Sequence, residues 1–216
     1  MMPGPHIIFE CPGCFHPMKM RTIASGNTFG SKMYSDGKRM SPMLPDPLAL
    51  TICNHCKKIF WTQKAKEIGE QDPWNEATDE EWHFVEFAHS LDLSQYTMAL
   101  NEKVYETKEE EFYIRIMIWW GYNDRVRSGQ PLFNEKDGKL GLGEKPWREN
   151  LHGLLTLLDP NRTDFQFMRA DIYRSLGEFQ KCRDIISLIK DPKLIKTKIS
   201  YLERCFNKDE KVFLLD

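Results

Sequence analysis

The hydrophobic pattern of the chain changes about one third of the way along it. Before residue 66, apolar residues come in short runs, such as HIIFE at 6–10 and KKIFW at 57–61, between stretches rich in turn-forming residues. Runs of this kind are typical of β-strands. After residue 72, apolar residues recur every three or four positions, which indicates helices. The pattern therefore predicts an α+β protein, with a small β domain at residues 6–66 and a larger all-α domain at residues 72–216.

Helical signals divide the second domain into antiparallel hairpins. The clearest helix is KEEEFYIRIMIWWGYNDRVR, because its acidic first turn and its last-turn Arg125 and Arg127 complement the helix macrodipole. Thr78 and Glu81 form a capping box for a helix before it. On the last helix an apolar stripe is expected to face the core. The predicted helices are 78–91, 108–127, 144–160, 163–176, 179–189 and 195–206, and the stripe consists of Ile195, Ile199, Leu202 and Phe206.

Four of the six cysteines form two C-x-x-C pairs in the β domain. CPGC contributes Cys11 and Cys14, and CNHC contributes Cys53 and Cys56, with 38 residues between the pairs. A tight turn brings both sulfurs of such a pair onto one cation, and two pairs complete a tetrahedral all-thiolate site. The sequence predicts one Zn²⁺ per chain with a structural role, since protein ligands fill every coordination position.

Other chemistries for these cysteines are weaker or stay open. Iron suits the same four ligands. A thioredoxin-like redox centre would need a βαβ pattern, which the sequence lacks. His16 and His55 are expected beside the sulfurs or in solvent rather than on the metal. Cys182 and Cys205 fall on apolar helical stripes, which favours small buried side chains over ligands.

The segment between the two pairs, residues 18–50, is long for a connection and rich in turn formers. Asp36-Gly37 within it suits the tight turn of a hairpin. Its five methionines are expected to fill an irregular loop, although an adaptable binding surface or a copper(I) site stays open. The basic residues at the hairpin are expected at a solvated tip, the alternative being a basic-aromatic patch of Tyr34, Lys32, Lys38 and Arg39.

Two parts of the chain resemble known families. CPGC and CNHC, with an aromatic strand after the second pair, make residues 6–66 similar to zinc-ribbon modules. RADIYRSLGEFQKCRDIISLI resembles a tetratricopeptide repeat, and the likeness extends loosely over 144–206. Gln166 and Arg169 depart from that family's Trp and Leu, and the closing proline is absent. The second resemblance implies a helical-hairpin array with a peptide-binding groove, and its small, aromatic, turn, aromatic and small positions are Ala170, Tyr173, Gly177, Phe179 and Cys182.

Composition and charge narrow the functional classes. The 216 residues are 41% hydrophobic and 29% charged, as in ordinary globular proteins. No run reaches the roughly 18 apolar residues of a membrane span, and MMPGPHIIFE has no secretory pattern. A cytoplasmic protein that does not enter membranes is therefore expected. Residues 1–70 hold nine Lys/Arg against five Asp/Glu, whereas residues 71–150 hold nine against seventeen. This distribution disfavours nucleic acid as a partner.

The motifs favour binding over catalysis. The chain contains no H-E-x-x-H, no G-x-S-x-G and no phosphate-binding loop, so no enzyme activity is predicted. The expected function is that of a non-catalytic zinc protein, which contacts a protein or peptide through its helical domain. The alternative is a nucleic-acid-binding zinc-ribbon regulator.

Nucleic-acid titrations separate these two functions. We expect weak, salt-sensitive binding of labelled DNA and RNA at about 150 mM salt, because few basic residues are available for counterion release. Fluorescence anisotropy over a salt series measures it. Sub-micromolar, sequence-dependent binding would instead favour the regulator.

Overall fold

The computed structural model describes residues 1–74 and 80–215, which form an α+β protein of two compact units. We call Met1–Ser31 with Ser41–Asp92 the ribbon unit, and Lys32–Met40 with Leu93–Asp216 the helical unit. This division differs from the sequence-based boundary at 66–72. A short segment inside the long connection belongs to the helical unit, and residues 72–92 belong to the ribbon unit.

The chain forms short antiparallel strands in both units. In the ribbon unit, β2 is the centre of a three-stranded sheet of order β3-β2-β9, β7 pairs with β8, and β1 pairs with β4. In the helical unit, β5 pairs with β6. The strands are β1 Met2–Pro3, β2 His6–Glu10, β3 Pro17–Met20, β4 Ile23–Ser25, β5 Lys32–Met33, β6 Arg39–Met40, β7 Leu50–Ile52, β8 Ile59–Trp61 and β9 Lys66–Gln71.

The helix expected at 78–91 is wrong over the described part of that segment, and Thr78 lies outside the described residues. Only a 3₁₀ turn at Glu80–Trp82 is helical. Beyond it the chain follows the sheet, with bridges from Phe87 to Lys19 and from Ser90 to Thr51. The ammonium of Lys19, a buried residue, lies 3.4 Å from the carbonyl oxygen of Trp82, to which it donates a hydrogen bond. Tertiary hydrogen bonds to the sheet therefore outweigh the local helical pattern.

Six α-helices make up most of the helical unit. The helix predicted at 108–127 is confirmed with those bounds, and the hydroxyl of Thr107 accepts a hydrogen bond from the Glu110 amide at its start. The sequence predicts no helix at 93–101, although Leu93, Tyr96 and Leu100 have helical spacing, because a segment of nine residues is short for a helical pattern. The helices are α1 Leu93–Asn101, α2 Lys108–Arg127, α3 Glu144–Leu157, α4 Thr163–Ser175, α5 Phe179–Leu188 and α6 Ile195–Phe206. Among the described residues, no helix is long and apolar enough to cross a membrane.

The predicted hairpin around Asp36-Gly37 is confirmed, and its basic residues Lys32 and Arg39 are exposed as expected, but its turn packs inward. Gly37 adopts the left-handed conformation with φ +78°, and the turn buries both Ser35 and Asp36. The Asp36 carboxylate accepts hydrogen bonds from Asn123, at 2.8 Å, and from the Arg127 guanidinium, both on α2. A buried carboxylate needs such partners, since an unpaired charge in the interior is costly.

Ser35 connects the hairpin to α4, to α6 and to the residues that follow α6. The Tyr201 hydroxyl donates to the Ser35 carbonyl at 2.6 Å. The Ser35 and Phe213 backbones are joined by a bond of 2.9 Å. Arg174 donates to Asp171 at 2.6 Å and to the carbonyl oxygens of Asp209 and Lys211. The hairpin is therefore an internal part of the helical unit.

The apolar stripe expected to face the core on α6 is wrong as well. Ile195, Ile199 and Phe206 are 58%, 49% and 86% exposed, and Leu202 is 39% exposed. The core face of α6 instead carries Tyr201 and Cys205, which pack in one cluster with Cys182 and Ile186 of α5. Tyr201 takes the inward position because its hydroxyl has a buried partner in the hairpin.

Replacing Asp36 tests whether the hairpin holds the helical unit together. Asp36→Ala removes the buried one of the two carboxylates that pair with Arg127, while Asp124 remains 2.7 Å away, and we expect it to lower the free energy of unfolding by about 3 kcal/mol, the lower end for breaking a buried pair. The matched control is Asp46→Ala, an exposed carboxylate, with an expected change within about 0.5 kcal/mol. Urea unfolding followed by far-UV circular dichroism measures both. Equal effects of the two changes would contradict an organising role for Asp36.

Candidate metal centre

The first cysteine pair lies at the tip of the hairpin formed by β2 and β3. The Cys11 amide donates to the His16 carbonyl at 3.0 Å, and the Phe15 amide donates to the Cys11 carbonyl at 2.9 Å. Phe15 adopts φ +59°, a left-handed conformation that costs a non-glycine residue about 1–2 kcal/mol. The strained turn places the Cys11 sulfur 3.3 Å from the Gly13 amide, which donates to it.

The second pair repeats this backbone arrangement between β7 and β8. The Cys53 amide donates to the Lys58 carbonyl at 2.9 Å, and the Lys57 amide donates to the Cys53 carbonyl at 3.0 Å. Lys57 adopts φ +63°, matching the left-handed residue of the first turn. The Cys56 amide lies 3.4 Å from the Cys53 sulfur and donates to it. Two equivalent turns thus present sulfurs surrounded by amide donors, which stabilise thiolates.

The structure brings the four predicted sulfurs together. All four lie within 4.8 Å of one another, with 3.5 Å between the sulfurs of Cys11 and Cys56 and 3.7 Å between those of Cys14 and Cys53. A tetrahedral site with metal–sulfur bonds of about 2.3 Å has sulfur–sulfur edges of about 3.8 Å. The donor set and its dimensions therefore fit one tetrahedral metal ion. All six cysteines are free, so the cluster contains no disulfide.

The base of the site is hydrophobic, and its rim is open to water. Cys11 and Cys53 are buried in a cluster with Phe9, Met18 and Phe60. The Phe9 and Phe60 rings meet edge to face with centroids 6.1 Å apart. Cys56 is exposed at the rim. The arrangement is consistent with a zinc-ribbon-like site, in which two hairpins meet at the metal.

The surroundings of the sulfurs set their pKa values far apart. Burial raises the pKa of the Cys11 thiol to about 12. The backbone amide of Lys58 lowers the pKa of Cys56 to about 7. Four thiolates do not coexist at neutral pH without a cation, so metal binding must release protons from this site.

The two histidines near the cysteines stack on each other. The rings of His16 and His55 are 5.2 Å apart at an interplanar angle of 17°. Within residues 1–74 and 80–215, only the four cysteines form a group of three or more metal-binding side chains. The two turns are therefore held side by side by a ring contact as well as by the sulfurs.

A second group of titratable residues lies in the helical unit, around Ser35. Asp171, Arg174 and Tyr201 are fully buried and bonded to one another or to the hairpin. Burial raises the pKa of the Tyr201 phenol well above its usual range, which keeps the hydroxyl proton available for the Ser35 carbonyl. The sequence does not single out this group, because Ser35 and Tyr201 within it are 166 positions apart. Its inaccessibility and mutual hydrogen bonds make it a structural core.

Comparisons of the chain with protein-family models, with curated proteins and with solved structures find no match.

Removing one ligand tests the metal centre. We expect protein purified without added metal to carry one equivalent, and Cys53→Ser to lose it, because three thiolates and a hydroxyl bind a soft cation poorly. Elemental analysis measures the metal directly, so the result does not depend on stability. As a control, Cys182→Ala removes a buried thiol of the helical unit and should keep the full equivalent. Metal-free wild-type protein, or full occupancy in Cys53→Ser, would contradict the assignment.

Proposed function

We propose that the four cysteines hold one structural Zn²⁺. The sulfur–sulfur distances of 3.5 and 3.7 Å are close to the tetrahedral edge, and zinc favours all-cysteine sites of this form. Four protein ligands leave no position for substrate, which supports a structural role over a catalytic one. The ribbon unit depends on the ion, since binding free energy at such a site is also folding free energy. Iron in the elemental analysis would replace zinc without changing this role.

We propose further that the protein has no catalytic activity and binds a protein partner through its helical unit. The observation that carries this proposal is the exposed apolar row on α6, which we call the α6 stripe: Ile195, Ile199, Leu202 and Phe206. Leu188 of the neighbouring α5 is exposed too, at 64%. Contiguous apolar side chains on one face are more typical of protein interfaces than of free surface.

The pair α4–α5 supports a tetratricopeptide-like arrangement. Gly177 joins the two helices with φ +78°. The small residues Ala170 and Cys182 are fully buried, and the aromatic residues Tyr173 and Phe179 pack on the same cluster. These are the roles that the resemblance assigns to them. We extend the proposed tetratricopeptide-like array to residues 144–206.

The face of the helical unit formed by α2, α4 and α6 already has an occupant. The β5–β6 hairpin contacts α2 through Asn123, α4 through Asp171 and α6 through Tyr201. A peptide would have to displace buried hydrogen bonds to bind there. The α6 stripe needs no such displacement, so we place the partner on it.

Two of the basic residues on which nucleic-acid binding would depend already contact protein groups of their own units. Lys38 forms an ion pair of 2.6 Å with Asp124. Lys57 donates to the carbonyl oxygen of Asn54 at 2.6 Å. Each cation that is engaged within its own unit is a poorer phosphate contact.

Affinity purification from the native cell tests the proposal. We expect partners that survive nuclease treatment and that fall by about tenfold or more with Ile199→Asp, because a buried carboxylate is costly at an interface. Leu140→Asp is the matched control, since Leu140 is an exposed leucine of the helical unit outside α6. Recovery of partners that require nucleic acid, or equal recovery with both variants, would contradict it.

A further inference from the structure

The α6 stripe has the spacing of a helix–helix seam. Its members are separated by four, three and four residues, so at 100° per residue they fall within an arc of about 60°. In heptad notation, Ile195 and Leu202 occupy d positions, and Ile199 and Phe206 occupy a positions. All four are exposed, whereas Tyr201 and Cys205 on the adjoining arc are buried. The helix therefore presents a narrow seam beside the face that it packs on its own core.

The spacing of the apolar residues in this seam is the same in both directions along the helix. Position 195 is as far from the midpoint, between Ser200 and Tyr201, as position 206, and position 199 is as far from it as position 202. A second α6 laid antiparallel on the first would place Ile195 against Phe206 of the second copy and Ile199 against Leu202. An isologous two-fold interface requires this self-complementarity.

The charges beside the seam are self-complementary in the same sense. Lys196 and Glu203 both occupy e positions, on the exposed edge of the stripe. In an antiparallel pair of helices the e positions of one face the e positions of the other, in reverse order. Lys196 then meets Glu203 of the second copy, and the reverse contact forms by symmetry. In the part of the chain that the structure describes, neither side chain has an ion-pair partner.

The opposite edge of the stripe favours the antiparallel over the parallel arrangement. Parallel helices would bring e positions against g positions. Here the g positions are Lys198 and Cys205. Lys198 donates to the carbonyl oxygen of Ile189, and Cys205 is buried against α5. Neither is available to a charge across a seam.

We propose that the chain self-associates as a two-fold dimer through antiparallel pairing of α6 with α6 of a second copy. This inference rests on the proposed function and identifies the partner as the chain itself. The seam covers three turns of one helix, a smaller contact than the roughly 800 Å² per partner of stable interfaces, so we expect a weak dimer with a dissociation constant of about 10–100 μM.

A charge exchange gives the sharpest test. Lys196→Glu alone places glutamates opposite each other twice in the dimer, as Glu203→Lys alone does with lysines. We expect either single change to weaken dimerisation by about tenfold or more at low salt. The double variant restores the opposite charges and should dimerise like the wild type. Sedimentation equilibrium from about 1 to 500 μM spans the expected dissociation constant.

Replacing apolar residues by aspartate gives a second, independent test. Ile199→Asp should leave a monomer throughout this concentration range, while the control Leu140→Asp should dimerise as the wild type does. Circular dichroism verifies that each variant is folded. Single and double charge variants of equal affinity would overturn the antiparallel pairing. A monomeric wild type that still captures a cellular partner through Ile199 would overturn self-association and leave the proposed function standing. A monomer that captures nothing would overturn both.

Discussion

The helical unit depends on burying one short acidic turn. Asp36 and Ser35 bring a carboxylate, a hydroxyl and backbone groups into a region that α2, α4 and α6 surround. Polar groups of this kind are costly to bury alone and stabilise a unique arrangement only when all are satisfied. The helices provide the hydrogen-bond donors for this turn: Asn123 and Arg127 donate to the Asp36 carboxylate, and Tyr201 donates to the Ser35 carbonyl. The helical unit is therefore organised around a segment that is not helical.

Because the hairpin belongs to the helical unit, segments of the two units alternate along the sequence. The hairpin lies between Cys14 and Cys53, which belong to opposite halves of the sulfur cluster. The chain leaves the ribbon unit after Ser31 and returns at Ser41. A fragment that begins at residue 72 retains α1 to α6 but lacks Ser35 and Asp36. The helical unit as it stands in the structure cannot be recovered by cutting the chain at one place.

Local sequence signals correctly predict features that depend on residues close in sequence or on a known motif spacing. The C-x-x-C pairs indicated the cluster, the Asp36-Gly37 pair indicated a turn, and acidic and basic ends bounded α2 correctly. The two wrong expectations, the helix at 78–91 and the inward-facing stripe on α6, both involve distant partners. Residues 82–90 follow the sheet because Lys19 and Thr51 provide backbone and side-chain contacts there. The stripe on α6 has a helical period, but periodicity does not say whether an apolar face meets the protein's own core or a surface beyond it.

The contact between Ser35 and Phe213 also constrains how the protein can be made. The two residues are 178 positions apart, and their hydrogen bond closes the hairpin against the residues that follow α6. During synthesis the hairpin leaves the ribosome long before its partners exist. Contacts between residues this far apart in sequence slow folding, because the chain loses the entropy of loop closure before it gains a stabilising contact. The helical unit must therefore complete its folding after translation of residue 213, with Asp36 still solvated until α2 has emerged.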